Sequence, residues 1–330
     1  MARGTDLHDH GEETMTNLIQ GHHHVTLCVA GAQEDYEFHT TLLGLRSVKK
    51  TVLFDGTTPI YHLYYGNHQG DPSTLITTFP FKHTGIEGRR GSGQIKTIQC
   101  SVPPGATGYW QKRLEDHGIA SKPLTRYNQN RLHFAHPCGI EYELVEVADD
   151  PREPITTDEI GPKVALRGVY GIEVSVRDRE AMEEFLERGF GFKKTGEEGA
   201  RVRYESQLSK HGNVIELIHE PNLPQGTWTF GAGTVHHCAF KVNNHDEQTQ
   251  VKAYLEGLGF TDVSDSKDRK YFHSVYFRTP GGALFEAAYS IPESFEIDET
   301  MENLGNDFQL PPWLEDRKQE LLSKLEKFDF

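Results

Sequence analysis

Pro280-Gly281-Gly282-Ala283-Leu284-Phe285-Glu286 and Pro137-Cys138-Gly139-Ile140-Glu141-Tyr142-Glu143 share the pattern Pro-x-Gly-x-x-aromatic-Glu. Each reads as a turn feeding a strand, with a carboxylate at one register. Working outward, each closes a longer unit that opens with a strand, continues with a helix and ends in further strands. The fourth unit opens at Thr234–Val242, has a helix over Asp246–Leu258 stopped by Gly259, and closes with Tyr271–Arg278 and Ala283–Tyr289. The second opens at Ile95–Val102, has a helix over Thr107–His117 stopped by Gly118, and closes with the strand-rich Arg131–Val147. Two fainter copies complete the series. The first runs through His23–Ala30, a helix over Ala32–Leu43 before Gly44, then Val48–Phe54, Pro59–Tyr65 and Thr74–Phe79. The third runs through Gly168–Val176, a helix over Arg179–Arg188 before Gly189 and Gly191, then Val202–Gln207 and Asn213–His219. A glycine just past each helix supplies the left-handed conformation that ends it. Internal repetition of this kind decides the architecture before any single motif does.

The repeat predicts an α+β fold of four βαβββ modules. Modules 1 and 2 are expected to form a first domain over residues 21–150 and modules 3 and 4 a second over 165–290, with linkers rich in Gly, Pro or charge at Thr84–Gly93, Asp149–Pro162 and Pro221–Gly231. Residues 1–20 read as a polar, acidic, disordered tail without the apolar stretch of a secretory signal. Residues 291–330 form an extension whose end, Pro311–Phe330, reads as an amphipathic helix, with Leu314, Leu321, Leu322, Leu325 and Phe328 near one face. Its expected role is to pack on a domain or a subunit.

Forty-nine acidic against 34 basic side chains give a net charge of -15. Such a surface repels phosphate backbones and excludes a nucleic-acid partner. No run of about 18 apolar residues is present, so no membrane span is expected. Cys28, Cys100, Cys138 and Cys238 lack paired spacing, which argues against a disulfide framework and fits a reducing cytoplasm.

Chemistry concentrates in three strands. Alternation along His22-His23-His24-Val25-Thr26-Leu27-Cys28 puts His24 and Thr26 on one face and Val25 and Leu27 on the other. The same parity turns His237 inward in Val235-His236-His237-Cys238-Ala239, and Glu286 inward in Leu284-Phe285-Glu286-Ala287-Ala288. Two neutral imidazoles and one carboxylate on a single metal leave positions open for substrate and oxygen. His22, ahead of the pair, leaves His23 as an alternative ligand, but alternation with Thr26 favours His24. The repeat is an internal control: Thr97, Gly171 and Glu143 stand opposite His24, His237 and Glu286, so both imidazoles are missing there. One metal per chain is therefore expected, in a barrel built by the first and fourth modules, with Glu143 a satisfied polar remnant. His62, His133, His136 and His219 are read as structural or surface histidines.

The chain resembles the vicinal oxygen chelate superfamily over Gly21 to Tyr289, and within it the hydroquinone ring-cleaving dioxygenases. The likeness rests on His23-His24-Val25-Thr26, on Asp55-Gly56 with Pro59-Ile60-Tyr61-His62-Leu63-Tyr64, and on Thr77-Thr78-Phe79-Pro80. It continues in Gly196-Glu197-Glu198-Gly199, His219-Glu220-Pro221, Gly226-x-Trp228-Thr229, His236-His237 and Thr279-Pro280-Gly281-Gly282. The resemblance implies two pseudo-symmetric barrels and Fe(II) on His24, His237 and Glu286. It also implies a small aromatic substrate with O2 as the second reactant, and it allows a homo-oligomer. Around the metal it implies roles for His23, Thr26, His236, Arg269 and Tyr276. Arg269 would neutralise developing charge, His23 or His236 would move a proton, and Thr26 would orient a ligand. Three rival readings are a glyoxalase-like isomerase or lyase, a catechol extradiol dioxygenase and a non-enzymatic aromatic-binding protein. The first commonly uses an additional carboxylate ligand, where the strand near Thr77 offers only a hydroxyl. The second usually draws all its ligands from the C-terminal half, unlike His24. The third has no need of such a constellation.

Overall fold

A computed structural model describes residues 18–53 and 59–328. Module 1 comprises β1 (His22–Val29), α1 (Ala32–Glu37), β2 (Arg46–Val52), β3 (Tyr61–Gly66) and β4 (Leu75–Pro80). Module 2 comprises β5 (Gln94–Val102), α2 (Thr107–Asp116), β6 (Ser121–Arg126), β7 (Gln129–Ala135) and β8 (Glu141–Glu146). Module 3 has β9 (Gly168–Val176), α3 (Arg179–Glu184), β10 (Lys193–Glu198), β11 (Arg201–Glu205) and β12 (Val214–His219). Module 4 has β13 (Thr234–Lys241), α4 (His245–Gly257), β14 (Lys267–Asp268), β15 (Phe272–Arg278) and β16 (Leu284–Ser290). The expected four-module α+β fold is present. Three strands escaped the sequence pattern: β6, β10 and β14 carry mostly exposed polar side chains and so lack the alternation that marks a half-buried strand.

The modules pair into two curled eight-stranded sheets. One has the order β14-β15-β16-β13-β1-β4-β3-β2 and joins modules 4 and 1; the other, β10-β11-β12-β9-β5-β8-β7-β6, joins modules 3 and 2. At the centre of each, the opening strands of two modules run antiparallel, β1 against β13 and β5 against β9. Irregularities repeat with the modules. Both α1 and α3 widen into a π turn, at Phe38–Leu42 and Phe185–Gly189. Both central strand pairs carry two register shifts, at His22/His24 and Thr26/Leu27 in one sheet and at Ile95/Thr97 and Gln99/Cys100 in the other. After the helical segments, Gly44, Gly118, Gly191 and Gly259 all take positive φ, the conformation that a Cβ disfavours.

Every residue of β1 is buried, because both of its faces are covered. Val25, Leu27 and Val29 join one core cluster with Trp110 and Leu114 of α2 and Val251 and Leu255 of α4. The opposite face lines the inside of the curl, where apolar groups such as Cys28, Ile60, Phe79 and Phe81 form a separate cluster. A strand covered on both sides can hold polar side chains only if they are paired or bind something. That condition makes His24 and Thr26 informative.

The C-terminal extension is less helical than its amphipathic pattern predicts. A 3-10 turn at Pro312–Arg317 leads into a short helix, α5 (Lys318–Lys324), which ends where Leu325 turns extended. Its apolar face does pack as expected, with Leu321, Leu325 and Phe328 in the main core.

Candidate metal centre

Three neighbouring strands bring His24 (β1), His237 (β13) and Glu286 (β16) together, all buried, with their ligand atoms within 4.8 Å of one another. The two Nε2 atoms lie 3.1 Å apart. Glu286 Oε2 sits 2.9 Å from His237 Nε2 and 3.7 Å from His24 Nε2. Its other oxygen, Oε1, accepts a hydrogen bond from Ser274 at 2.6 Å. Oε2 itself is buried without a hydrogen-bond partner among the described residues.

The register shifts explain the two His-His pairs. A bulge lets two successive side chains of one strand share a side and re-aims them. His23 thus lies behind His24, its Nδ1 3.0 Å from His24 Nδ1, while its Nε2 meets Ser290 Oγ at 2.9 Å. His236 stands behind His237 in the same way, Nδ1 to Nδ1 at 2.7 Å. The back-to-back contacts allow each inner imidazole to donate its Nδ1–H backwards and keep Nε2 as a lone pair pointing at its partner. Burial then keeps these rings uncharged. It drives His24 well below the ordinary range against the pull of Glu286, and with Arg269 it pushes His237 down to about 3. Two lone pairs and an unpartnered carboxylate oxygen facing one point repel each other unless a cation lies among them. The donor set fits a metal.

His24, not His23, is the imidazole aimed at this point. Thr26 reaches it too, its Oγ1 3.0 Å from His237 Nε2 and 2.8 Å from Thr77 Oγ1. Arg269 and Tyr276 stand together, Arg269 Nε donating to the Tyr276 hydroxyl at 3.2 Å, and the Tyr276 ring crosses His237 at 5.5 Å. All of the residues singled out from sequence therefore gather in one region. With His24 and His237 at its base, a cavity of about 300 Å³ opens between apolar walls formed by Leu53, Phe79, Phe230, Phe272 and Leu284. Phe230 stacks on His236 with ring centres 3.5 Å apart.

Several contributors were missed from sequence. His62, read there as structural, lines the cavity beside Tyr64 and Lys267. Its same-face spacing with Tyr64 on β3 was visible, but nothing in one strand says which cavity that face meets. Ser274 and Tyr276 likewise share a face of β15, and Ser274 orients Glu286 only because β15 pairs with β16, Tyr276 opposite Glu286. Asp55-Gly56 lies outside the described residues.

The second sheet answers the repeat comparison. Gly171 stands opposite Gln99 there, and a Cβ on it would lie 2.6 Å from the Val214 carbonyl, so no imidazole fits. The buried carboxylates Glu143, Glu173 and Glu216 are paired with Arg126, Arg131 and Arg201. Arg131 Nη1 donates to Glu143 at 3.0 Å and Arg131 Nη2 to Glu216 at 2.6 Å. Three charges of each sign leave no net charge for a cation.

A second group of ligand-type residues, Asp35, His39 and His136, is also buried and close-set. Its hydrogen bonds argue against a metal. His136 Nδ1 accepts the Cys138 N–H at 3.1 Å, so its proton resides on Nε2, facing Asp35 Oδ1 at 3.4 Å. His39 Nδ1 faces the Asp35 carbonyl at 3.0 Å and must carry a proton as well. Tyr65 and Thr78 hydroxyls supply Asp35 Oδ2 at 2.8 and 2.6 Å. Oδ1, without a hydrogen bond among the described residues, lies 3.1 Å from His39 Nδ1 and 3.4 Å from His136 Nε2, so this carboxylate is a hub that joins modules 1 and 2.

Comparison with known proteins agrees with this architecture. Residues 170–287 match the model of the Glyoxalase/Bleomycin resistance protein/Dioxygenase superfamily. The chain is 39% identical over 307 residues to the chlorohydroquinone/hydroquinone 1,2-dioxygenase of Sphingobium indicum, covering 92% of this chain and 95% of that one. It is 36% identical over 317 residues to the "Putative ring-cleaving dioxygenase MhqO" of Bacillus subtilis, covering 96% and 98%. A crystal structure of a "putative dioxygenase" from Bacillus subtilis superimposes with a TM-score of 0.88 at 36% identity, covering 94% of this chain and 98% of that one. The family match, the close superposition and this identity along nearly the whole length lead to one conclusion: the chain belongs to the ring-cleaving dioxygenases of the Glyoxalase/Bleomycin resistance protein/Dioxygenase superfamily.

Proposed function

We propose that the chain is an Fe(II)-dependent dioxygenase that opens the ring of a substituted hydroquinone beside a hydroxyl-bearing carbon, with iron held by His24, His237 and Glu286. The observation that carries this reading is Glu286 Oε2, buried without a hydrogen bond among the described residues and facing the Nε2 atoms of two imidazoles that line an aromatic-walled cavity. The names of the relatives supply the substrate class: the Sphingobium indicum enzyme acts on hydroquinone and chlorohydroquinone. A fourth protein ligand, as a glyoxalase-like site would need, has no carboxylate at Thr77, whose hydroxyl already meets Thr26 and His62.

Iron held by His24, His237 and Glu286 would supply open coordination positions and redox chemistry toward a substrate oxygen and dioxygen. The chain's own residues do the rest. His23 and His236 fix the tautomer and aim of the two imidazole ligands. Both nitrogens of His23 are engaged, so moving a proton falls to His236, which lines the cavity. Arg269, held by Tyr276, places a fixed positive charge where negative charge gathers on the substrate oxygens. Thr26 offers a hydroxyl beside the ligands, and Leu53, Phe79, Phe272 and Leu284 grip the ring and keep water out. Four unpaired cysteines fit the reducing cytoplasm in which Fe(II) persists.

Anaerobic reconstitution with Fe(II), then oxygen uptake with a panel of hydroquinones and catechols, tests the proposal. One equivalent of iron and uptake with hydroquinones are expected. Uptake with catechols alone, or none with any diol, overturns it.

A further inference from the structure

A hydrogen-bonded row of four side chains crosses the sheet away from the metal ligands, and none of the proposed steps uses its far end. Thr26 Oγ1 meets Thr77 Oγ1 at 2.8 Å, Thr77 Oγ1 meets His62 Nε2 at 3.1 Å, and His62 Nδ1 meets the Tyr64 hydroxyl at 3.0 Å. The row is enforced by pairing: Thr26 stands opposite Thr77 on β4, and Thr77 opposite Tyr64 on β3. His62 and Tyr64 both line the cavity that His24 and His237 floor.

The direction of the row can be worked out. With a cation on His237 Nε2, that nitrogen has no lone pair left for the Thr26 hydroxyl, so Thr26 donates to Thr77 instead. Thr77 must then donate to His62 Nε2. A neutral imidazole has one donor and one acceptor, so His62 donates from Nδ1 to the Tyr64 oxygen. The Tyr64 O–H proton is thereby released, and the hydroxyl has no other partner among the described residues. Burial, which holds His62 well below its ordinary range, keeps the ring in this one-donor state.

Position gives this donor a target. Two inter-strand spacings, about 10 Å, separate β3 from β1, so Tyr64 and His24 line the same cavity from well-separated strands. Tyr276, by contrast, stands opposite Glu286 on β15, and Arg269 lies in the turn between β14 and β15. A para-diol with one oxygen on the metal presents its second oxygen at the opposite edge of the ring. We propose that Tyr64, aimed by His62, donates a hydrogen bond to that second oxygen and so selects para-diols over phenols with a single hydroxyl. This rests on the dioxygenase reading.

The test is anaerobic binding to the Fe(II)-loaded protein, with hydroquinone and phenol as paired probes. Wild type is expected to prefer hydroquinone by about tenfold, the value of one well-placed hydrogen bond to a polar oxygen. Tyr64→Phe should erase the preference while leaving phenol affinity and iron content unchanged, because neither depends on the hydroxyl. His62→Phe, a change in a positioning residue, should reduce the same preference, and His62→Gln, whose amide can both accept and donate, should restore part of it. Wild-type selectivity in Tyr64→Phe, or equal losses for both probes, overturns the proposal. Failure of the dioxygenase reading looks different: the wild-type protein would then consume no oxygen with any hydroquinone.

Discussion

His23→Phe isolates what the second imidazole of a His-His pair contributes. Phenylalanine fills the same space against Phe272, whose ring already lies 5.4 Å from that of His23, so packing is preserved. What disappears is the acceptor for His24 Nδ1–H at 3.0 Å and the link onward to Ser290 at 2.9 Å. His24 is then left with a buried, unsatisfied donor, a cost of about 1–3 kcal/mol. The ring can relieve that cost only by rotating or by changing tautomer, and either removes Nε2 from the metal. Iron affinity should therefore fall by about 10–100-fold, the usual consequence of losing a hydrogen bond behind a ligand. Competition with a chromophoric chelator under anaerobic conditions measures this directly. Ser290→Ala, one step further out, should show the same effect at a smaller size. Wild-type affinity in His23→Phe, with the variant folded, would show that His24 needs no partner behind it and would refute the reasoning.

Further expectations concern the ligands, the charged groups and pH. His24→Ala, His237→Ala and Glu286→Ala should each abolish iron retention by metal analysis; full occupancy in any one removes that residue from the ligand set. Arg269→Ala should keep iron bound but lower turnover at least tenfold in oxygen-uptake assays, and unchanged kinetics would exclude it from the chemistry. Glu143→Ala should leave metal content untouched yet cost about 3–5 kcal/mol in chemical denaturation, since Arg126 and Arg131 would be left buried without this carboxylate. A loss of metal there would contradict a single site per chain. Burial alone would raise the Asp35 carboxyl, but His39 and His136 outweigh it and hold the group well below its ordinary value of 3.8. A depressed pKa adds stability that is complete above the ordinary value and is lost as pH falls below it. The metal-free protein should accordingly lose stability below about pH 4, and Asp35→Asn should flatten that acid limb. An unchanged acid limb in Asp35→Asn would show that the hub does not govern it.

Much of this molecule is legible in the chain because the repeat writes the same instruction four times. The alternation in β1, β13 and β16 separates Val25, Leu27 and Phe285 from His24, His237 and Glu286 without reference to any other strand. Period-two geometry is local, so the inward orientation of these three side chains follows from sequence order. The absence of imidazoles at Thr97 and Gly171 is local in the same sense, and it points to one site instead of two.

Other features depend on which strands become neighbours, and no single stretch encodes that. The His-His pairs turn back to back because of bulges set by the pairing of β1 with β13, strands more than 200 residues apart along the chain. His62 becomes part of the cavity wall only when β3 curls round to face β15, and Ser274 becomes the support of Glu286 only when β15 lies against β16. The edge strands β6, β10 and β14 form despite polar faces because their neighbours supply the backbone partners. Local periodicity thus determined which side chains could bind a metal, whereas long-range strand pairing decided where they meet, which hydrogen bonds aim them and what surrounds the substrate. The physical reason is that side-chain direction is a property of one strand, while a coordination site is a property of the distances between strands.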